Sequence, residues 1–292
     1  MKKLLAMMLI SLPMSQFGLV AAVPESVKSI DLGLPSGTMW ANMNIGASSM
    51  IEYGGYYAWG ETSPKSNLFF SEDNYKYFHT EDVSYTNEEG FVESVTYKGY
   101  TKYVPSIVSE TDGFRGFYDD KSDLDNDDDV ACVEWGDEWE MPSVLQCEEL
   151  SQFCIWEKVK MNGVSGYKIV GPNKNYIFLP CGGFCSTSWI QNKIEEYACY
   201  WTSSAIPYSV ESYSMDWTGS PYNGVAQRRY IGRLIRPVLK SKSSSINQVP
   251  NDSRVTTCQY FNIYGQSVEL ESSKGQIIIK KEGNKVTKFI NR

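Results

Sequence analysis

Hydrophobic positions along most of the chain fall in short runs broken by Gly, Pro and polar residues, a pattern of brief strands joined by tight turns. One window departs from it. Cys147, Leu150 and Cys154 stand at i, i+3 and i+7, with Phe153 beside them and Glu148, Glu149 and Gln152 turned away, so one face of a helix is expected to be buried. Ser143 followed by Gln146 forms a capping-box start for that helix, each side chain accepting from the other's free backbone N–H. Tyr167–Val170 and Tyr176–Leu179 alternate around Gly171-Pro172-Asn173 and predict a hairpin with a loop of about five residues. Further strands are expected at 200–203, 212–217, 225–230 and 234–238. Trp40, Trp59, Trp201 and Trp217 sit in strand-like runs and are expected to pack inside. The class predicted is α+β: an irregular, mostly β domain with one principal helix, then a small all-β domain at the C-terminus.

Three further segments divide the chain. Residues 1–22 join Lys2-Lys3 to an apolar run and a Val20-Ala21-Ala22 end, the form of a secretory signal peptide. No later apolar run approaches the roughly 20 residues of a spanning helix. Residues 240–256 are polar and Ser-rich and read as a linker. Residues 257–292 hold three alternating segments between Gly turns, with six basic and three acidic side chains. The main domain therefore runs over 23–239.

Charge narrows the partners. Residues 23–292 carry 25 basic and 35 acidic side chains, a net charge of −10. That balance opposes nucleic acid, whose binding rests on phosphate neutralisation by Lys and Arg. Fifteen acids lie between Glu110 and Glu149, against only Arg115 and Lys121. Within them, Asp123, Asp125, Asp127, Asp129 and Glu134 occupy positions 1, 3, 5, 7 and 12 of an EF-hand-like loop, where alternate carboxylates converge on Ca²⁺ and a final Glu closes the shell. Asp128 stands at position 6, where that loop needs Gly, and no helix precedes it. The competing reading is a solvated loop, or a turn in which Asp128 and Asp129 bond backbone amides.

Several ordered blocks carry a resemblance. Asp31-Leu32-Gly33-Leu34-Pro35-Ser36-Gly37, Trp135-Gly136, Trp139 with Met141-Pro142-Ser143, Asn162-Gly163-Val164, Tyr200-Trp201-Thr202-Ser203-Ser204 and Arg236-Pro237-Val238 resemble the Fibrobacter succinogenes major paralogous domain family of Bacteroidetes surface proteins. The resemblance covers roughly 28–239 and implies a C-type-lectin-like fold, in the branch that also holds formylglycine-generating enzymes. It implies export more than any reaction. Residues 69–118 match weakly and are read as an insertion or long loop. The segment Asn262-Ile263-Tyr264-Gly265-Gln266-Ser267-Val268, with Lys274-Gly275, resembles the type A sorting domain of type IX secretion; Gln276 and an Ile run depart from its pattern. That likeness implies export machinery as a partner and a secreted or outer-surface address.

Candidate chemistry is sparse. Rings concentrate in the second half of the main domain, and Trp189, Tyr208 and Tyr222, set among Ser, Asn, Gly and Pro, are the expected exposed ones. With Asn223 and Arg228 they could stack on a pyranose and hold its hydroxyls. His79, the one histidine, lacks a nucleophile elbow or a second His. Cys147 and Cys154, about 10 Å apart on a helix, cannot bridge; with an odd total of seven, at least one thiol stays free unless it pairs between molecules. Cys181 and Cys185, flanking Gly182-Gly183, could bridge or bind metal or simply be buried. Cys181 and Cys199 are the nearest positions to a reactive pair of the formylglycine-generating type, though neither fits that motif. The expected function is a non-catalytic module for a glycan or other surface ligand. A structural-adhesive module for a protein partner and an enzyme of that oxidase branch are the alternatives.

Overall fold

A computed structural model describes residues 23–108, 112–187, 191–218, 223–240, 259–262, 268, 277–282 and 285–290. The chain divides between residues 241 and 242 into two compact units. In order, the first unit holds β1 (Ser29–Asp31), β2 (Met39–Ala41), β3 (Phe78–Thr86), β4 (Val92–Tyr100), α1 (Val130–Trp135), β5 (Trp139–Glu140), α2 (Val144–Phe153), β6 (Ile155–Met161), β7 (Val164–Val170), β8 (Tyr176–Pro180), β9 (Ala198–Ala205), β10 (Glu211–Trp217), β11 (Asn223–Arg228) and β12 (Val238–Leu239). They form four small sheets, ordered β1-β2-β12-β5, β3-β4, β6-β7-β8 and β11-β10-β9. The protein is mostly β. Among the described residues no helix is long and apolar enough to cross a membrane. The segment expected as a signal peptide, and all of the expected linker but Lys240, lie outside the described residues.

The helix α2 starts where its cap dictates. The Gln146 N–H donates to Ser143 Oγ at 3.3 Å, and the Ser143 N–H donates to Gln146 Oε1 at 2.7 Å. Cys147 and Leu150 are fully buried, whereas Phe153 at the last turn is 47% exposed and does not join the stripe. Ser143→Ala removes one half of the box and is expected to lower stability by about 1 kcal/mol, read as a shift in the urea midpoint at unchanged slope.

The predicted hairpin is β7 and β8, joined through 171–175, with Val170 opposite Tyr176. It extends to a third strand, β6, paired with β7 across the Asn162-Gly163 turn. Trp40, Trp59, Trp201 and Trp217 are all buried. Trp217 stacks on Trp156 with ring centroids 3.6 Å apart. The strand expected at 234–238 is replaced by bridges, Tyr57 to Arg233 and Tyr200 to Leu234, with regular pairing resuming at Val238. Pro237 has no N–H for a ladder, and the buried Arg233 and Arg236 turn their side chains into the core.

The segment expected as an insertion or long loop carries a long hairpin in its described part. Its two nine-residue strands pair without a break from Phe78↔Tyr100 to Thr86↔Val92. Gly99 lets the hairpin lie close against the 113–114 stretch of the same segment, since a Cβ there would fall 2.6 Å from the Phe114 backbone nitrogen.

In the second unit β13 (Gln259–Asn262), β14 (Ile277–Glu282) and β15 (Lys285–Ile290) form an antiparallel sheet in that order, as the alternation predicted. Ile278, opposite Phe289 in register, is buried.

Candidate functional site

The acidic run folds into a turn over 126–128 and the short helix α1, and its carboxylates take separate partners. Asp123 Oδ1 accepts from the Ser204 hydroxyl at 3.1 Å. Asp125 pairs with Lys102 at 2.7 Å and Lys121 at 2.6 Å. Asp128 is buried against Lys102, Lys76 at 2.9 Å and the Tyr103 hydroxyl at 2.6 Å. Burial opposes its charge, but hydrogen bonds from Lys102, Tyr103 and Lys76 outweigh it and hold this carboxyl well below the usual range. Asp129 caps α1 through the Ala131 and Cys132 N–H groups and accepts Met141 N–H at 2.7 Å. Asp127 is exposed, and Glu134 lies inside α1.

The five residues spaced like a calcium loop are therefore not brought together. Among the described residues, no group of three or more His, Cys, Asp or Glu could hold a metal ion. The physical reason is local: without Gly at 128 the chain turns into 3₁₀ and then α conformation, and lysines from the insertion neutralise the carboxylates first. The bond to backbone amides weighed for Asp129 is present. Asp128 meets side chains instead.

A polar groove of about 370 Å³ lies beside this loop, where Asp123, Asn126, Glu140, Ser143 and Gln146 meet. Burial raises the Glu140 carboxyl.

The larger cleft, about 470 Å³, lies between the insertion and the β9–β11 sheet. The hairpin contributes Phe78, Lys98, Gly99 and Tyr100 to it, and Ser209, Glu211 and Arg228 stand opposite. Glu72 and Asp112 complete its wall. Phe78 and Tyr100, paired in register, meet edge-to-face with centroids 5.2 Å apart and give the cleft an apolar floor. The Tyr100 hydroxyl donates to Glu72 at 3.3 Å. Arg228 is exposed and spends one nitrogen on the Tyr230 hydroxyl at 2.9 Å.

Of the ring-based ligand residues read from the sequence, Arg228 lines this cleft, while Tyr208, 68% exposed, stands in the loop that supplies Ser209. Asn223 begins β11, its side chain lying outside the description. Trp189 and Tyr222 lie outside the described residues. Lys98, Tyr100, Glu72 and Glu211 were not among the expected site residues. The available signal was the alternation of Glu81, Val83 and Tyr85 with Thr80, Asp82 and Ser84, which marks a strand within the segment expected as an insertion or long loop.

The thiols lie elsewhere. All six described cysteines are buried and unbridged. Burial pushes Cys181 up to about 11 and Cys199 up to about 12, whereas a reactive cysteine needs an accessible thiolate. His79 is exposed on the hairpin, edge-on to Phe114 at 4.7 Å.

Comparison with protein-family models, with curated proteins and with solved structures yields no match.

Proposed function

We propose that this chain is an exported or cell-surface, non-catalytic binding module of C-type-lectin-like type, which takes a glycan or another surface ligand in the cleft between the β3–β4 hairpin and Arg228. The observation that carries this is the β3–β4 hairpin facing Arg228 across a cleft of about 470 Å³. Ring edges, carboxylates and two cations converge there, the mixed lining that polyhydroxylated ligands require. The C-terminal sheet serves as the sorting or anchoring unit. Glycan-array binding by the full chain, competed by the free sugar and lost in Arg228→Ala without a change in melting temperature, is the expected result. Binding undiminished in Arg228→Ala would move the site away from this cleft.

A protein-adhesive role is the second reading, and the outer half of the hairpin favours it. Tyr85, Phe91, Val92, Val95 and Tyr97 are each between 39% and 76% exposed there. Such concentrated apolar surface marks contact sites. Capture of a defined protein partner that free sugar does not displace would support this role over glycan binding.

A further inference from the structure

The cleft's ionic groups point beyond a generic sugar. Among the described residues of the first unit, eight lysines and arginines make ion pairs with carboxylates. Lys98 and Arg228 are not among them, although three carboxylates line the same cleft. Lys98 is the one lysine or arginine between Phe78 and Tyr100, against five acids. Both cations are exposed. Glu72 and Glu211 lie near enough to favour the charge of Arg228, but neither cation closes an ion pair among the described residues, so both keep donors for an anion entering the cavity.

We infer that the cleft is built for an acidic sugar, with Lys98 and Arg228 meeting its carboxylate while Glu72 and Glu211 accept its hydroxyl hydrogens. This rests on the cleft being the ligand site. The reasoning uses both signs of charge. A neutral sugar would satisfy the carboxylates but leave the two cations idle. A simple anion without hydroxyls would face Glu72, Asp112 and Glu211 with no donors to offer. A uronic acid carries both, and the C–H face of its ring suits the Phe78 edge. Charge-assisted contacts to guanidinium and ammonium are about twice as strong as neutral ones, and Arg adds the planar fork that fits a carboxylate.

The test is calorimetric titration of the full chain with oligogalacturonate and with its methyl ester, which keeps the hydroxyls and removes the charge. Oligogalacturonate is expected to bind roughly tenfold tighter or more. The double variant Lys98→Gln, Arg228→Gln should erase that preference, while Lys174→Gln, in the β7–β8 turn, should leave it intact. Equal binding of acid and ester would overturn the acidic-sugar assignment and leave the cleft as a glycan site. Poly-L-glutamate binding as tightly as oligogalacturonate would also overturn it, by showing that charge alone is recognised. If neither uronate form binds but a neutral glycan does, in a manner sensitive to Arg228→Ala, the inference fails and the proposed site survives. If no glycan binds at all, both fail.

Discussion

Arg236→Met is expected to destabilise the main domain by about 3–5 kcal/mol, the cost typical of breaking a buried charged network by removing one partner. Arg236 is fully buried, and no carboxylate acts on it among the described residues. Its Nε donates to Asn44 Oδ1 at 2.8 Å, and its two terminal nitrogens donate to the Ala41 carbonyl at 3.0 Å and the Phe178 carbonyl at 2.8 Å. Asn44, itself buried, passes the link on to the Tyr53 carbonyl and the Tyr200 hydroxyl. One guanidinium thus joins the end of β2, a loop, β8 and β9. Burial lowers its pKa to about 10, so it remains charged at neutral pH. Met fills similar volume and avoids desolvating a charge, but it abandons three acceptors in a space closed to water, each costing about 1–3 kcal/mol. Against a typical total of about 5–15 kcal/mol, this loss is large. Arg236→Lys should fail nearly as badly, because one ammonium cannot reach acceptors on three separate segments. The check is a urea or guanidinium unfolding curve; a Met variant within about 1 kcal/mol of the parent would show that the network contributes little.

Much of this framework was legible, and the parts that were not share a cause. The Ser143–Gln146 box, the β7–β8 hairpin and the C-terminal three-stranded sheet could be read because each rests on neighbours in sequence. The four packed tryptophans could be read because their surroundings alternate. Arg229, Arg233 and Arg236 could not be placed in the core, since a charged residue is expected outside and their partners lie far away: Tyr103 and Ser212 for Arg229, Asp216 for Arg233, Asn44 and Phe178 for Arg236. The partners of the acidic run were hidden for the same reason. Its spacing suggested a shared ion, yet Lys76 and Lys102, brought in by the folded insertion, are what Asp128 meets. The cleft was the hardest to see. It exists only because residues near 72, 100, 112, 211 and 228 are assembled by tertiary structure, and only Arg228 among them stood out beforehand.

Asp129 should give the main domain an unusual pH dependence, with this group's contribution to stability falling as pH rises from 4 to 7. Its carboxyl is 4% exposed, and no cation forms an ion pair with it among the described residues. Burial pushes it up to about 6, despite the backbone N–H groups of Met141, Ala131 and Cys132 that favour the charged form. The unfolded chain releases this proton near 3.9. Between those values the folded state holds more protons than the unfolded one, so stability declines with rising pH. The protonated group's contribution is complete below about 4 and is lost as pH passes 6. Moving this carboxyl from about 3.9 to about 6 is worth about 3 kcal/mol. Asp128 works with the opposite sign, its stabilisation full above the ordinary carboxylate range and lost only in stronger acid. Asp129→Asn isolates this carboxyl's contribution. The amide oxygen can still cap α1, but its NH₂ then faces the Met141 N–H, which is left unpaired at a cost of about 1–3 kcal/mol. The variant should therefore be clearly less stable than the parent at pH 4.5, and the gap should close by pH 7.5, where the parent carries a buried charge. Chemical denaturation of both proteins at the two pH values decides it: a gap that stays constant, or widens toward pH 7.5, would mean that Asp129 is ionised throughout and that its three N–H donors outweigh its burial.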